Sequence, residues 1–357
     1  MDNQIDIIMG QHAALAAIEN LTRVIISLKC TKEFFEKNKF VIENRGISKL
    51  YIVSRKEIDS EIKNNVHQGI LLKCKSLKQI SVEEINKNEK NIVILDSLND
   101  SQNVGSILRT SYLFGIKTII SNKDNSFKIN PFLIKSASGA FEKINFIEVI
   151  NLNRTVEKLK KMVCAADILV ENFKAGSLHK FGLDYDSLSH LNPRIIYCSI
   201  TGFGHSGPYA NRPGYDFLIQ GMGGLMSITG QADGTAGAEP MKVGVAICDL
   251  FTGLNAVSAI LAALHYRNRT GSGQHIDCAL LDSQTAMLAN QASNWLNCGF
   301  TPERMGNAHP SIVPYRVFAV SDGHVIVNCG NDAQFARLTA SLNIPEMAND
   351  QKFQTNE

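Results

Sequence analysis

The chain mixes stretches whose apolar residues recur at helical spacing with short apolar runs bounded by turn formers. Residues 11 to 28 alternate apolar and polar side chains at helical spacing, which predicts a helix. "LYIVS" and "GILLKC" read as short buried strands, so a small α/β unit extends to about Leu77. The polar run "SVEEINKNEK", residues 81–90, reads as a linker. "NIVILD" then predicts a strand ending at Asp96, "SLNDSQ" a loop, "NVGSILRTSYLFG" a helix and "KTIIS" a second strand. Strand, loop, helix, strand is the unit of a parallel α/β sheet, whose ligand sites lie beyond the carboxyl ends of the strands. Asn99, Asp100, Asn103 and Arg109 fall at that edge.

Further along, "DILVENF" and "RIIYCSITGFG" predict strands that each run into a turn, and "GGLMSITGQADGTAG" a glycine-rich loop. "VGVAIC" reads as an apolar, strand-like run, and "DLFTGLNAVSAILAALHYRNRTG" as an almost wholly apolar helix begun by Asp249. "GQHIDCALLDS" predicts a strand leading into another helix. There is no internal repeat, and the glycines are too scattered for a dinucleotide or Walker fingerprint.

Charge changes the picture from one α/β chain to two units. Residues 1–161 hold 20 Lys and 5 Arg against 18 acids, net +7, while the remainder hold 4 Lys and 7 Arg against 16, net −5. Glycine rises from 6 to 20 across the same point, and eight of the nine prolines follow it. Such asymmetry argues for two units of different origin, and 357 residues suffice for two or three cores. The amino terminus lacks the basic region of a secretory signal, and no apolar run approaches the ~18 residues of a membrane span. A cytoplasmic protein with no membrane partner is therefore expected. Eight cysteines without metal-ligand spacing read as free thiols, with neither disulfides nor structural zinc expected.

Two places carry candidate chemistry. Asn103 at the mouth of a helix and Arg109 nearly two turns along it suit a phosphate-flanked hydroxyl, because arginine is a fixed-charge fork and helix starts favour anions. A helix cap plus a surface ion pair explains the same spacing. Asp249, between apolar segments, reads either as a helix N-cap or as a nucleophilic carboxylate flanked by small residues that admit a thioester. Residue spacing leaves both pairs of readings open.

The run "NDSQNVGSILRTSYLFG", with "GQHAALAAI", "VHQGI" and "KSASGAFEKINFIEVINLNRTVEKLKK", closely resembles the SpoU (TrmH-like) RNA ribose 2′-O-methyltransferases. The resemblance covers about residues 5 to 161. It implies an RNA-substrate-binding domain at 1–78, a linker at 79–90 and part of a SPOUT α/β-knot domain at 91–161. It further implies ribosomal or other structured RNA as partner, S-adenosylmethionine as donor, and Asn103 and Arg109 as catalytic-side residues, Arg109 activating the ribose hydroxyl. That family's knot carries an Asn-Glu-Gly turn, which this sequence does not contain. The expectation is an incomplete knot domain, a largely missing donor site and no methyl transfer.

"ADILVENFKAGSLHKFGLDYDSLSHLNPRIIYCSITGFGHSGPYANRPGYDFLIQGMGGLMSITG", "GVAICDLFTGLNAVSAILAALHYRNRTGSGQHIDCALLDS" and "GNAHPSIVPYRVFAVSDGHVIV" resemble the family III CoA-transferases of CaiB/BaiF type. This resemblance runs from about Ala165 onward and implies a Rossmann-like α/β domain at 162–357, lacking the family's opening and closing segments. It implies that Asp249 attacks an acyl-CoA, that a covalent aspartyl thioester forms, and that a carboxylate acceptor completes the exchange in a homodimer. By the same resemblance Glu171, Asn172, Phe173 and Lys174 contact coenzyme A, with Lys174 standing where arginine is usual. Ile200 to Gly204, including Gly202 and Phe203, and the loop Gly306 to Pro314 would line the acyl site. His309 in that loop reads first as an ordinary loop histidine.

The join between the two resemblances falls at Lys161 to Ala165. Three outcomes are open: a CoA-transferase that keeps its nucleophile, an RNA-binding or RNA-processing remnant, or an inactive fusion of two truncated enzymes.

Overall fold

The computed structural model of the chain describes residues 4–62, 66–85, 91–95, 98, 100–122, 127–149, 157 and 160–353. It divides into two compact α/β units, Met1–Leu159 and Lys160–Glu357. Asp96, Asn99, residues 86–90 of the linker and most of 150–159 at the join lie outside the described residues.

In the first unit, β1 (Ile5–Met9), β2 (Ile25–Cys30), β3 (Leu50–Ile52) and β4 (Ile70–Lys75) form a sheet in the order β1-β4-β2-β3. β5 (Ile92–Leu95), β6 (Thr118–Asn122) and β7 (Asn145–Val149) form a second, wholly parallel sheet. One apolar core runs under both, including Ile8, Leu28 and Leu72 from the first and Val104, Leu108, Ile119 and Phe146 around the second.

The helix expected over 11–28 is instead α1 (Gln11–Glu19), followed by a turn and β2. Asn20 breaks the helix: its side-chain oxygen accepts bonds from the Thr22 amide and hydroxyl, and the β-branched "VII" beyond it favours extended chain. "LYIVS" yields only a three-residue edge strand with Tyr51 and Ile52 exposed, not a buried one. α2 (Ser101–Leu113) is capped by Asp100, whose carboxylate accepts from the Gln102 amide, so Asn103 sits inside the first turn rather than at its mouth.

In the second unit, β8 (Ile168–Glu171), β9 (Ile196–Thr201) and β10 (Gln274–Ala279) make a parallel sheet with β9 central. Alternation along β9 explains its two-sided cover. Tyr197 packs with Leu188 of α3 (Tyr185–Leu191) on one face, and Cys198 with Ala256 on the other. α4 (Asp216–Met222) precedes the long α5 (Ile247–Thr270), which is followed by α6 (Leu280–Met287), α7 (Ala289–Cys298) and the antiparallel hairpin β11 (Tyr315–Val320) with β12 (Gly323–Asn328).

Two expectations change here. "VGVAIC" forms no strand; α5 starts at Ile247, so Asp249 is its third residue and not its cap. By length and composition α5 is long and apolar enough to cross a membrane, because Thr, Gly, Asn and Ser interrupt the apolar run without adding charge. Its small residues Cys248, Thr252, Ala256 and Ala263 face inward, whereas Leu250, Leu254, Val257 and Leu261 are exposed. All eight cysteines are free.

Candidate active site

The three strands of the second sheet end together at Glu171, Thr201 and Ala279, and the turns beyond them hold most of the candidate residues. Asn172 Nδ2 donates to the Ile200 carbonyl at 2.7 Å, which ties the turn after β8 to the end of β9. Glu171 is buried; its Oε2 accepts the Phe173 amide at 2.8 Å, and its Oε1 lies 3.9 Å from His205 Nε2. Glu171 and Lys174 line a pocket of about 240 Å³ with Tyr185, His205 and His275. His275 stacks on Tyr185 at 5.0 Å, and its Nε2 is 2.9 Å from Ser199 Oγ. Burial, then neighbouring His205, lowers its pKa and favours the neutral ring.

The turn after β9 depends on two glycines. A Cβ on Gly202 would lie 2.5 Å from the Gly214 α-carbon, so only glycine permits this approach of two backbones. Gly204 has φ 82° and donates its amide to Thr201 Oγ1. Phe203 and Ile200 then pack with Cys248 and Ile219, which brings this turn to the start of α5.

At that start the capping carboxylate is Asp216, 33 positions before Asp249. Its Oδ1 accepts the amides of Cys248 at 2.7 Å and Asp249 at 3.4 Å, while its Oδ2 accepts from Gln220 Nε2 at 2.7 Å. Asp249 is thereby relieved of capping, and its exposed carboxylate makes no hydrogen bond or ion pair among the described residues. Partial desolvation, then repulsion from Asp216, raises its pKa above the usual carboxylate value. Cys248 is no rival nucleophile, since burial and the two carboxylates push its thiol up to about 12. Glu171 and Lys174 thus line one pocket, Gly202 packs on Gly214, and Phe203 packs on the cluster that includes Cys248, the residue before Asp249.

The loop 304–314 is tied to the glycine-rich loop by the Gly306 amide, which donates to the Gly230 carbonyl at 2.9 Å. His309 is held inside its own loop: its Nδ1 accepts the Ser311 amide, and its ring packs on Tyr315.

In the first unit Asn103 and Arg109 are exposed on α2. Six residues apart on a helix places them roughly 9 Å apart along the axis and about 120° apart around it, so the helix does not converge them on one atom.

Sequence reading missed Asp216, Gln220 and the ion pair of Arg304 with Asp233. Asp216 reaches Cys248, Gln220 reaches Val243 and Arg304 reaches Asp233, each across more than 20 positions, and no local spacing marks these contacts. "PGYDF" carried the only hint, an acid at the start of a helix.

The family model described as CoA-transferase family III matches residues 149–357, and that of the SpoU rRNA Methylase family matches residues 90–187. The succinate–glutarate CoA-transferase of Agrobacterium fabrum is 55% identical over 199 residues, which are 56% of this chain and 49% of that protein. The succinyl-CoA:glutarate CoA-transferase of Mus musculus is 46% identical over 203 residues, 57% of this chain and 46% of that protein. The chain spans about half the length of the curated relatives it matches. The crystal structure of a CAIB/BAIF family protein from Brucella suis superposes with TM-score 0.53 at 42% identity, covering 76% of this chain and 74% of that one.

Proposed function

The chain belongs to CoA-transferase family III, and from that membership we propose that its second unit moves coenzyme A between carboxylic acids through Asp249. The observation that carries this reading is the free carboxylate at the start of α5. Asp216 accepts the amides at the helix start, which leaves the exposed Asp249 carboxylate without a hydrogen bond or ion pair among the described residues.

An Asp249 oxygen attacks the thioester carbonyl, giving an acyl-aspartyl anhydride and CoA thiolate. The thiolate attacks the aspartyl carbonyl, releasing the donor acid and forming an aspartyl-CoA thioester. The acceptor carboxylate then attacks that thioester, expelling the thiolate into a second mixed anhydride. Attack of the thiolate on the new acyl group yields the product thioester and restores Asp249.

Relatives named for succinate and glutarate support a C4–C5 dicarboxylic acid pair as substrates. The protein mixed with succinyl-CoA and glutarate is expected to form glutaryl-CoA and succinate in equal amounts. Hydrolysis to free coenzyme A without glutaryl-CoA would sink the reading.

A second activity is favoured by the SpoU match over 90–187 together with the net +7 of residues 1–161: the first unit binds structured RNA. Binding of a ribosomal RNA hairpin to the full chain is expected to weaken steeply between 50 and 200 mM salt, by roughly tenfold or more. Salt-independent binding, or none at low salt, would refute it.

A further inference from the structure

Arg304 and Asp233 belong to the second unit but have no role in the steps above. The Arg304 side chain is 12% exposed, and its Nη2 pairs with Asp233, which is 69% exposed on the glycine-rich loop. Arg304 Nε is buried and has no hydrogen-bond partner. A carboxylate approaching a guanidinium side-on engages Nε and Nη2 together through its two oxygens. Asp233 meets only Nη2, so half of this fork is unmet, in a place where an unmade charged hydrogen bond is costly.

The setting is built from backbone. A Cβ on Gly230 would lie 3.1 Å from Arg304 Cδ, so glycine makes room for the arginine stem, and the Gly306 amide closes onto the Gly230 carbonyl. The same loop connects to the start of α5 through hydrogen bonds along the segment Thr229–Val243 and α4. The Met241 amide donates to the Thr229 carbonyl, the Val243 amide to Gln220 Oε1, and Gln220 Nε2 to Asp216, which caps α5.

We infer that Arg304 is a carboxylate-binding residue, and that Asp233 is its exchangeable internal occupant. The ligand is the second carboxylate of a dicarboxylic substrate, the one that does not react. This assignment of the ligand rests on the CoA-transferase reading. Binding replaces the one-point contact from an exposed loop with a two-point one, and frees Asp233 to move on its glycine-flanked segment.

The test is calorimetric titration of the full chain with glutarate, with butyrate as a single-carboxylate control. Arg304→Met is expected to weaken glutarate binding by about tenfold to a hundredfold, the loss of one charge-assisted fork. Arg304→Lys, which keeps charge and stem but not the fork, weakens it less, and neither variant changes butyrate binding. Asp233→Asn removes the competitor and strengthens glutarate binding.

A merely structural ion pair would move the Arg304 and Asp233 variants in the same direction, because each breaks the same contact. That result, unchanged binding in Arg304→Met, or no glutarate binding by the unaltered protein would each overturn the inference. Covalent labelling of Asp249 by succinyl-CoA, scored separately, distinguishes the two failures. Labelling with indifferent Arg304 variants leaves the transferase standing and removes this site. Opposite shifts without labelling support the carboxylate site and remove the transferase.

Discussion

Asp249→Asn is expected to lower CoA exchange by about 10⁴-fold or more, the scale on which loss of a covalent nucleophile acts. Asparagine keeps the shape of the side chain but offers no anionic oxygen to the thioester. The residue is exposed and the helix is capped by Asp216, so stability should change by no more than about 0.5 kcal/mol. A loss of activity with an unchanged denaturation midpoint would therefore report chemistry and not folding. Retention of more than a tenth of the rate would remove Asp249 from the mechanism.

The sign of the pH dependence follows from the same residue. The nucleophile must be ionised, and partial desolvation, then repulsion from Asp216, raise its pKa from the ordinary aspartate value, so kcat/KM falls as pH drops through that raised value. Asp216→Asn removes the repelling charge, so it should shift this acid limb to lower pH.

The second large effect lies in the first unit. Arg23 is 2% exposed, and its Nη1 donates to Asp6 Oδ2 at 2.6 Å and to the Lys75 carbonyl at 2.8 Å. Its Nε and Nη2 reach Glu142, at 3.1 and 2.9 Å, and Asn20 Nδ2 adds a further bond to the same carboxylate. Arg23 thus fastens the first sheet to the turn that precedes β7. Arg23→Ala leaves two buried carboxylates without a counter-charge, at a cost of about 3–5 kcal/mol. Lys29→Ala, which breaks a partly exposed pair with Glu61, should cost no more than about 1 kcal/mol. Denaturant midpoints of the two variants measure the contrast, and equal midpoints would show that Arg23 is not the fastening.

Neither Arg23 nor Asp216 stands out in the sequence, and the reason is the same. Arg23 meets Glu142 across 119 positions, and Asp216 meets the start of α5 across more than 30; local spacing is blind to both. What was legible is what local pattern controls. The runs that form β4, β5, β6, β8, β9 and β10 are short, apolar and bounded by turn residues, and each becomes a strand near its expected place. Where the pattern misled, local chemistry overrode it. Asn20 ended a helix that apolar spacing would have continued into β2, and β1 went unread because an amino-terminal strand of five residues carries little periodicity.

The candidate site divides in the same way. Asp249 was visible as an acid between apolar segments, yet its freedom from capping is a property of the fold. The turns Glu171–Lys174 and Gly202–Phe203 were placed by motif, and Asn172 shows physically why they lie together. Arg304 went unnoticed because a single arginine in a loop has no signature until its neighbours are known.

The most direct measurement is the intact mass of the full chain after brief incubation with succinyl-CoA and acid quenching. An aspartyl-CoA thioester adds the mass of coenzyme A less one water to the protein. It should be located at Asp249 by peptide mapping, be cleared by hydroxylamine, and be absent from Asp249→Asn. Unmodified protein that is folded and still exchanges coenzyme A, or an adduct on any other residue, would contradict the account.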